Sequence, residues 1–265
     1  LSVGGVLVGA LLLSACPPSD VDDGDGDGDS DEATTVDAGN GSDAGQNSGL
    51  ATVHGVVNNL SHQVLGDVNL RLSVDANNDG SLSDDEIAEG TSDDEGNFSL
   101  SLSVAGVQRA VLRVERDGFA VNFRTFELTP SADLRVDAVL APLETLACAA
   151  GTCASPDGNL QIADLDPTFS ATAQIFNPTT DTEAFPGNFE DDAGNLLISG
   201  VFSYVELKDS DGNGVDTLNA EATLSMEIPY ATRSAVGDEV VGNSQIDVPL
   251  YAFDAVSGTW EREGS

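Results

Sequence analysis

The stretch TSDDEGNFSLSLSV, residues 91–104, decides the fold, because a turn is followed at once by strict alternation of apolar and small polar side chains. Phe98, Leu100 and Leu102 recur at every second position, which is the period of a strand with one buried face. Before them, Gly96 tolerates the left-handed backbone of a tight turn. The stretch therefore predicts a turn and an amphipathic β-strand.

The same pattern of short apolar runs, cut by Gly, Asn and Asp, continues from residue 51 to residue 265. Helical periodicity with caps appears nowhere over a useful length. The runs predict strands at 52–57, 67–74, 97–104, 110–116, 119–128, 133–140, 169–176, 201–207, 221–228 and 245–253, with a hairpin at 254–260. We therefore predict an all-β protein of two β-sandwich-like modules.

Charge composition limits the possible partners. The chain has 46 Asp and Glu against 9 Lys and Arg, a formal net charge of -37. Such a balance excludes nucleic-acid binding through a basic surface and argues against anionic lipid headgroups. Divalent cations are the natural counterions of this surface.

The amino-terminal segment, residues 1–16, reads LSVGGVLVGALLLSAC and carries no charge. It is too short to cross a bilayer of about 30 Å as a helix, and it is typical of the apolar part of a secretion signal. Its end, Leu13-Ser14-Ala15-Cys16, resembles the lipobox of bacterial lipoproteins. The resemblance implies export to the cell envelope and a lipid anchor to a bacterial membrane at Cys16; an ordinary signal with a chance Cys is the alternative.

The next segment, residues 17–50, contains ten acidic residues, no Lys or Arg and almost no large apolar side chain. It cannot bury enough surface to offset the entropy of ordering. The sequence therefore predicts a disordered acidic linker between the anchor and the first β-module.

The β-rich remainder divides where the strand pattern lapses. We predict a first module at 51–143, a linker at 144–158 and a second β-rich domain at 159–265. Cys148 and Cys153 lie in that linker, and in an exported protein they most simply form a small disulfide loop. Free thiols are the alternative.

The first module resembles a known family through ATVHGVVNN, GDVNLRLSVD, TSDDEGNFSLSL and DLRVDAVLAPL. These phrases are similar to the carboxypeptidase regulatory-like domain, a small sandwich related to transthyretin and to the B-type repeats of surface adhesins. Asp94, Gly96 and Phe98 stand as in the family's turn-and-strand phrase. The resemblance implies a module without catalytic function.

The carboxyl-terminal phrase VPLYAFDAVSGTWEREGS is similar to β-rich segments of bacterial surface proteins and of the cartilage intermediate layer protein. Tyr251, Phe253 and Trp260 can form cross-strand aromatic contacts around a turn at Gly258. In those relatives the chain continues past this phrase, so the resemblance implies a second domain that extends beyond residue 265.

The stretch DANNDGSLSDDE, residues 75–86, has the spacing of an EF-hand calcium loop. Calcium takes six to eight oxygen ligands, and Gly80 stands where that loop turns sharply. The predicted ligands, at loop positions 1, 3, 5, 7, 9 and 12, are Asp75, Asn77, Asp79, the Ser81 carbonyl, Ser83 and Glu86. The flanks are predicted strands rather than helices, so a solvated acidic hairpin is the alternative.

A second acidic turn, residues 209–216, has alternating oxygen-bearing side chains but no Glu at the twelfth position. Its length is that of an ordinary hairpin. The sequence therefore favours a plain turn there over a second metal site.

Catalytic signatures such as G-x-S-x-G, a Walker-type loop or a zinc-ligand cluster do not occur in the sequence. We therefore predict a protein that is not an enzyme: a calcium-stabilised cell-surface lipoprotein that serves as a spacer, adhesion or assembly module, with a surface protein or a glycan as partner. Two alternatives stay open, an accessory region of a larger secreted hydrolase and a carbohydrate-binding module.

Overall fold

The structure, a computed structural model, describes residues 6–14, 48–177, 179–188, 190–191, 193–194, 197–215, 218, 222–227 and 250–264. These residues form strands and two short 3₁₀ turns, Asp84–Glu86 and Thr182–Ala184. In chain order the first nine strands are β1 (Val6–Ser14), β2 (Ser48–Asn59), β3 (Asn69–Ser73), β4 (Ile87–Thr91), β5 (Asn97–Ala105), β6 (Gln108–Glu115), β7 (Asn122–Leu128), β8 (Asp133–Arg135) and β9 (Ala138–Leu140).

The remaining strands follow without a helix between them in the described part of the chain. They are β10 (Glu144–Thr145), β11 (Ala147–Ala149), β12 (Thr152–Ala154), β13 (Leu160–Ala163), β14 (Ser170–Phe176), β15 (Leu197–Lys208), β16 (Thr223–Met226), β17 (Leu250–Asp254) and β18 (Thr259–Gly264). The prediction of an all-β protein is confirmed.

The first module is a sandwich of two sheets. One sheet has the order β5-β2-β8, with β9 also paired to β2, and the other has the order β4-β3-β6-β7. Alternation along β5 places Phe98, Leu100 and Leu102 in the core between the sheets, while the serines between them face solvent. The period-two pattern of residues 97–104 therefore indicated both the strand and its buried face.

The second part of the chain also stacks two sheets. A six-stranded sheet has the order β10-β14-β15-β1-β17-β18, and a four-stranded sheet has the order β11-β12-β13-β16. The core between them includes Leu160, Ile162, Ala171 and Val205. Strands that pack as two sheets need no apolar residues at helical spacing, which is why the sequence of this part shows no helical period.

A third core joins the two parts. Val111 and Phe123, on the outer face of the first sandwich, pack with Phe202, Tyr251 and Trp260 of the six-stranded sheet. The Phe123 and Phe253 rings lie 5.0 Å apart between centroids, and those of Phe202 and Trp260 lie 5.7 Å apart. The two modules therefore share buried aromatic surface instead of hanging on a free connection.

The structure departs from the sequence-based boundaries in the connection. Residues 144–158, predicted as a linker, contain β10, β11 and β12, and these strands belong to the sheets of the second part. Leu146 is buried in the second part's core, which explains why the stretch is ordered. The sequence missed these strands because each is two or three residues long, too short for a period to register.

The predicted secretion segment holds a further difference. Its residues 6–14 form β1, which pairs antiparallel with β15 in the six-stranded sheet. No strand was expected there from the sequence pattern. Removal of this segment on export stays a prediction. The disordered linker was predicted at 17–50, but residues 48–50 form the start of β2 and pair with β5, and residues 17–47 lie outside the described residues.

None of the described residues forms a helix that is long and apolar enough to cross a membrane.

Candidate metal centre

The predicted calcium loop, residues 75–86, connects β3 to β4, two neighbouring antiparallel strands. Ser73 and Ile87 are paired across the base, and the Val74 N–H donates to the Glu86 carbonyl at 3.0 Å. The chain therefore leaves one strand and returns on the next, so the loop has the predicted strand flanks and no helices. Opening of a helix pair, as in calcium sensors, is not available to this architecture.

The first half of the loop is organised around the Asp75 carboxylate. Its Oδ1 accepts from the Asp79 N–H at 3.2 Å, and its Oδ2 accepts from the Gly80 N–H at 2.9 Å. Gly80 has a φ of +76°, and a Cβ atom added there would contact no neighbouring atom. Glycine is therefore favoured by the left-handed backbone conformation and not by a lack of space.

Asn77 and Asp79 continue the same arrangement. The Asp79 N–H also donates to Asn77 Oδ1 at 3.0 Å, and Asp79 Oδ1 accepts from the Ser81 N–H at 2.8 Å. Each acceptor oxygen bonds to a backbone N–H a few residues later in the loop, so Asp75, Asn77 and Asp79 curl the chain around their own side chains. This winding is how a short loop brings alternate oxygen ligands to one side.

Glu86 ties the end of the loop to its start. Its Oε1 accepts from the Ala76 N–H at 2.8 Å, and its Oε2 accepts from the Ser83 N–H at 2.9 Å and the Ser83 hydroxyl at 2.5 Å. The hydrogen bond from the Ser83 hydroxyl, followed by those from backbone N–H groups, lowers the pKa of Glu86 below its ordinary value. The carboxylate therefore stays ionised to a lower pH than an ordinary glutamate does.

The donor chemistry fits calcium, but the geometry is not that of a filled ligand shell. In the described part of the chain, no group of three or more His, Cys, Asp or Glu side chains is arranged to hold a metal. Asp75, Asp79 and Glu86 therefore do not converge on one point. A carboxylate offers about four acceptor sites. Some of these sites accept hydrogen bonds from N–H groups of the loop, and the others remain available to a metal ion. The assignment of calcium stays a prediction.

The sequence missed one feature of this loop, the role of Glu86 as a cap. Ser83 and Glu86 form a capping box around the 3₁₀ turn Asp84–Glu86. The side chain of each residue accepts a hydrogen bond from the backbone N–H of the other. The Ser-x-x-Glu spacing is a known signature of that arrangement and could have indicated it.

The second acidic turn is closed by its own hydrogen bonds. Asp209 Oδ1 accepts from the Asp211 N–H at 2.9 Å and from the Asn213 N–H at 2.8 Å, while Asp209 Oδ2 accepts from Asn213 Nδ2 at 3.2 Å. Lys208 and Gly214 pair directly across the turn. The structure thus places a tight hairpin turn here; Asp216 lies outside the described residues.

The remaining predicted site residues lie elsewhere. Cys148 and Cys153 face each other across β11 and β12 and form a disulfide in the structure. The proposed lipidation site, Cys16, lies outside the described residues.

With the geometry in place, comparisons with known proteins give the following. No family model matches the chain, and no curated protein matches it. A chlorocatechol 1,2-dioxygenase from Pseudomonas putida matches over 36% of this chain and 61% of that chain, with 11% identity and a TM-score of 0.31. This chain therefore spans less than two thirds of that dioxygenase.

Two bacterial pilins are also among the similar solved structures. A streptococcal ancillary pilin matches over 67% of this chain and 59% of that chain, with 10% identity and a TM-score of 0.28. The shaft pilin SpaA from Lactobacillus rhamnosus GG matches over 82% of this chain and 98% of that chain, with 14% identity and a TM-score of 0.27. The chain is thus similar to β-rich bacterial surface proteins as well as to dioxygenases.

One prediction needs correction. Catechol dioxygenases among the similar structures contradict the prediction that the protein is not an enzyme, and that prediction is withdrawn. The likeness assigns no dioxygenase activity to this chain either, because a TM-score of 0.31 over 36% of the chain carries no functional argument.

Proposed function

We propose that this protein is an exported lipoprotein of the bacterial cell envelope, and that its first sandwich is a carboxypeptidase regulatory-like module clamped by calcium. Cys16 carries the lipid anchor, and residues 17–47 hold the β-rich body clear of the membrane. In this proposal the body serves as a spacer, adhesion or assembly module, and its partner is a surface protein or a glycan.

The observation that carries the proposal is the prearranged loop at 75–86. Asp75, Asn77 and Asp79 already follow the winding that alternate ligands need, and Glu86 already reaches from the end of the loop to its start. A preorganised loop loses less conformational entropy on binding than a free one. In the structure the carboxylates of Asp75, Asp79 and Glu86 do not converge, so bound calcium would have to draw them together.

Calcium, when bound, supplies two positive charges that offset the repulsion among these carboxylates. The loop joins two adjacent strands, so its closure fixes the ends of β3 and β4 relative to each other. The surface has a net charge of -37, so any neutralised loop also lowers local self-repulsion. The expected role is therefore a structural clamp that follows the calcium level outside the cell.

Isothermal titration calorimetry tests the metal. We expect one calcium per chain with a Kd of about 0.1 to 1 mM, the range of extracellular sites. At tenfold excess over Kd the folded state gains about 1.4 kcal/mol. Magnesium at equal concentration serves as the comparison ion, and the absence of both heat and melting shift at millimolar calcium would reject the clamp.

Membrane fractionation tests the anchor separately. The wild-type chain is expected in the membrane fraction and a Cys16→Ser variant in the aqueous fraction. A Ser14→Ala variant is the matched control, since it leaves a small residue beside the Cys. A Cys16→Ser protein that stays with the membrane contradicts the lipoprotein assignment and leaves the calcium clamp untouched.

A further inference from the structure

β1 fills a gap in the middle of the six-stranded sheet. It pairs antiparallel with β15 from Val6 opposite Glu206 to Ser14 opposite Leu197, and on its other side Ala10 and Leu11 pair with β17. Without β1, the sheet order β10-β14-β15-β1-β17-β18 separates into two pieces. The gap between β15 and β17 is named here the strand slot.

The strand that fills the slot is also the segment that the proposed export route removes. Cleavage before Cys16 would separate residues 6–14 from the mature protein, and this inference rests on that part of the proposed function. Every processed copy would lose β1 equally. A second processed copy therefore has no β1 to offer, which favours a strand supplied by another protein.

β15 is built for a central position in a sheet. Phe202 and Tyr204 are buried in the core shared with the first module, while Val205 and Leu207 are buried in the core of the second part. Both faces of the strand are thus covered, as is usual for interior strands. A row of backbone N–H and C=O groups left unpaired beside such a strand is costly, and an added strand pairs them.

A buried hydroxyl marks one position in the slot. Ser203 is fully buried and its Oγ has no hydrogen-bond partner. The residue opposite it on β1 is Gly9, which has no side chain to offer. Directly opposed residues place their side chains on the same face, about 5 Å apart between Cβ atoms. A Ser, Thr or Asn at that position of a bound strand can reach the Ser203 hydroxyl.

We propose that the strand slot is a binding site for an extended segment of a partner protein. The occupant is an uncharged, mainly aliphatic strand about nine residues long, which runs antiparallel to β15. Its chemistry follows from the strand seated there, because residues 6–14 carry no charge and are mostly Leu, Val, Gly and Ala. A hydroxyl or amide side chain opposite Ser203 distinguishes a cognate strand from the segment that now occupies the slot.

Peptide exchange tests the slot in the full chain. A protease site inserted into the tether at residues 17–47 allows β1 to be cut from the body while it stays in place. Cut and uncut proteins are taken through one cycle of unfolding and refolding with an excess of fluorescent VLVGALLLS peptide, flanked by lysines for solubility. Fluorescence anisotropy then reports bound peptide. We expect the cut protein to bind and the uncut protein, whose own strand competes intramolecularly, to bind at least tenfold less.

Peptide variants test the Ser203 position. A peptide with Gly9→Ser is expected to bind roughly fivefold more tightly than one with Gly9→Ala, the effect of one buried hydrogen bond. The preference should vanish in a Ser203→Ala protein, which loses only an unpartnered hydroxyl. Equal binding of both peptides by the wild-type protein contradicts the proposed contact.

An Ala10→Pro peptide is the control for strand pairing, since proline cannot donate to the ladder. If the Ala10→Pro peptide binds as well as the parent peptide, or if cut and uncut protein bind equally, the peptide adheres non-specifically and the proposal is overturned. Absence of any binding overturns it as well. Mass spectrometry of envelope-extracted protein tests cleavage before Cys16 independently. An uncleaved chain would refute the export route, whereas the peptide result judges the slot.

Discussion

The loop at residues 75–86 and the turn at residues 209–213 contain the same kinds of residue, yet they close in different ways. In the turn, one carboxylate, that of Asp209, accepts the hydrogen bonds made to a side chain, and a direct strand pair follows. In the loop, Asp75 organises the first half and Glu86 ties the second half back to Ala76. Three carboxylates of the loop, those of Asp75, Asp79 and Glu86, therefore accept hydrogen bonds from its backbone, whereas one carboxylate does so in the turn.

The difference shows that acidic content alone does not predict a metal site. The two segments differ in the Glu at the twelfth position. The carboxylate of this residue, Glu86, accepts a hydrogen bond from the Ala76 N–H at the start of the loop. In the turn, the Asp209 carboxylate makes its hydrogen bonds within four residues, and the chain then returns to strand pairing at Gly214. Four changes can break or sharpen this comparison.

The largest effect is expected for Glu86→Gln. Calcium affinity should fall by roughly 100-fold, since ligand charge count sets affinity over several orders of magnitude. The measurement is calorimetry, with an unfolding curve to show that the amide still caps Ser83. Asp84→Asn, in the same loop but outside the ligand positions, is the matched control and should retain near wild-type affinity. Equal losses in both variants would mean that only general charge matters.

A matched glycine pair is expected to give the next largest effect. Gly80 and Gly212 have φ values of +76° and +84°, and neither has an atom within 4 Å of a built Cβ. Alanine at either position should cost about 1 kcal/mol of unfolding free energy, from backbone strain alone. Calcium should recover part of the loss for Gly80→Ala and none for Gly212→Ala. Recovery in both variants would place calcium outside the loop.

Asp209→Ala should have a smaller effect. It removes the acceptor of two backbone N–H groups in an exposed turn, and those groups can turn to water, so only a small loss of stability, less than for the glycine variants, is expected. Calcium affinity should stay at the wild-type value, as measured by calorimetry. A weakened calcium response would show that the turn is a second site after all. Asp211→Asn, which keeps the turn's hydrogen bonds, is the control.

Acidification from pH 7 to pH 5 should have the smallest effect. Hydrogen bonds from the Ser83 hydroxyl lower the pKa of Glu86 from 4.5, and those from the Asn213 N–H lower the pKa of Asp209 from 3.8. A carboxyl with a lowered folded pKa contributes stability above its unfolded pKa and loses it as pH falls through the folded value. Melting temperatures should therefore decline below pH 4.5. An earlier decline in Glu86→Gln than in wild type would contradict this assignment.

The sequence was sufficient for elements that carry their own period. β2 and β5 alternate buried side chains with more exposed ones, and each was predicted within a few residues. The position of the acidic loop 75–86 between strands was predicted for a similar reason, because its spacing is local, and calcium binding there stays a prediction. In each of these cases, residues within about twelve positions contain the whole signal.

Long-range packing was beyond the sequence pattern. The aromatic core joins Phe123 to Phe253 and Phe202 to Trp260, pairs from distant parts of the chain with no period in common. β1 was missed for the opposite reason, because an apolar run without charge fits a secretion signal and an interior strand equally well. The non-convergence of the loop carboxylates likewise depends on side-chain directions that spacing does not specify.

The order in which the first module begins and ends has a mechanical consequence. The module is entered through β2 at Ser48 and left through β9 at Leu140, and these two strands lie side by side and run parallel. A pull on the tether against the second module would draw them in opposite directions along their length. The hydrogen bonds between the two strands would then be loaded in shear. They would have to break together, whereas hydrogen bonds pulled apart from one end break one after another.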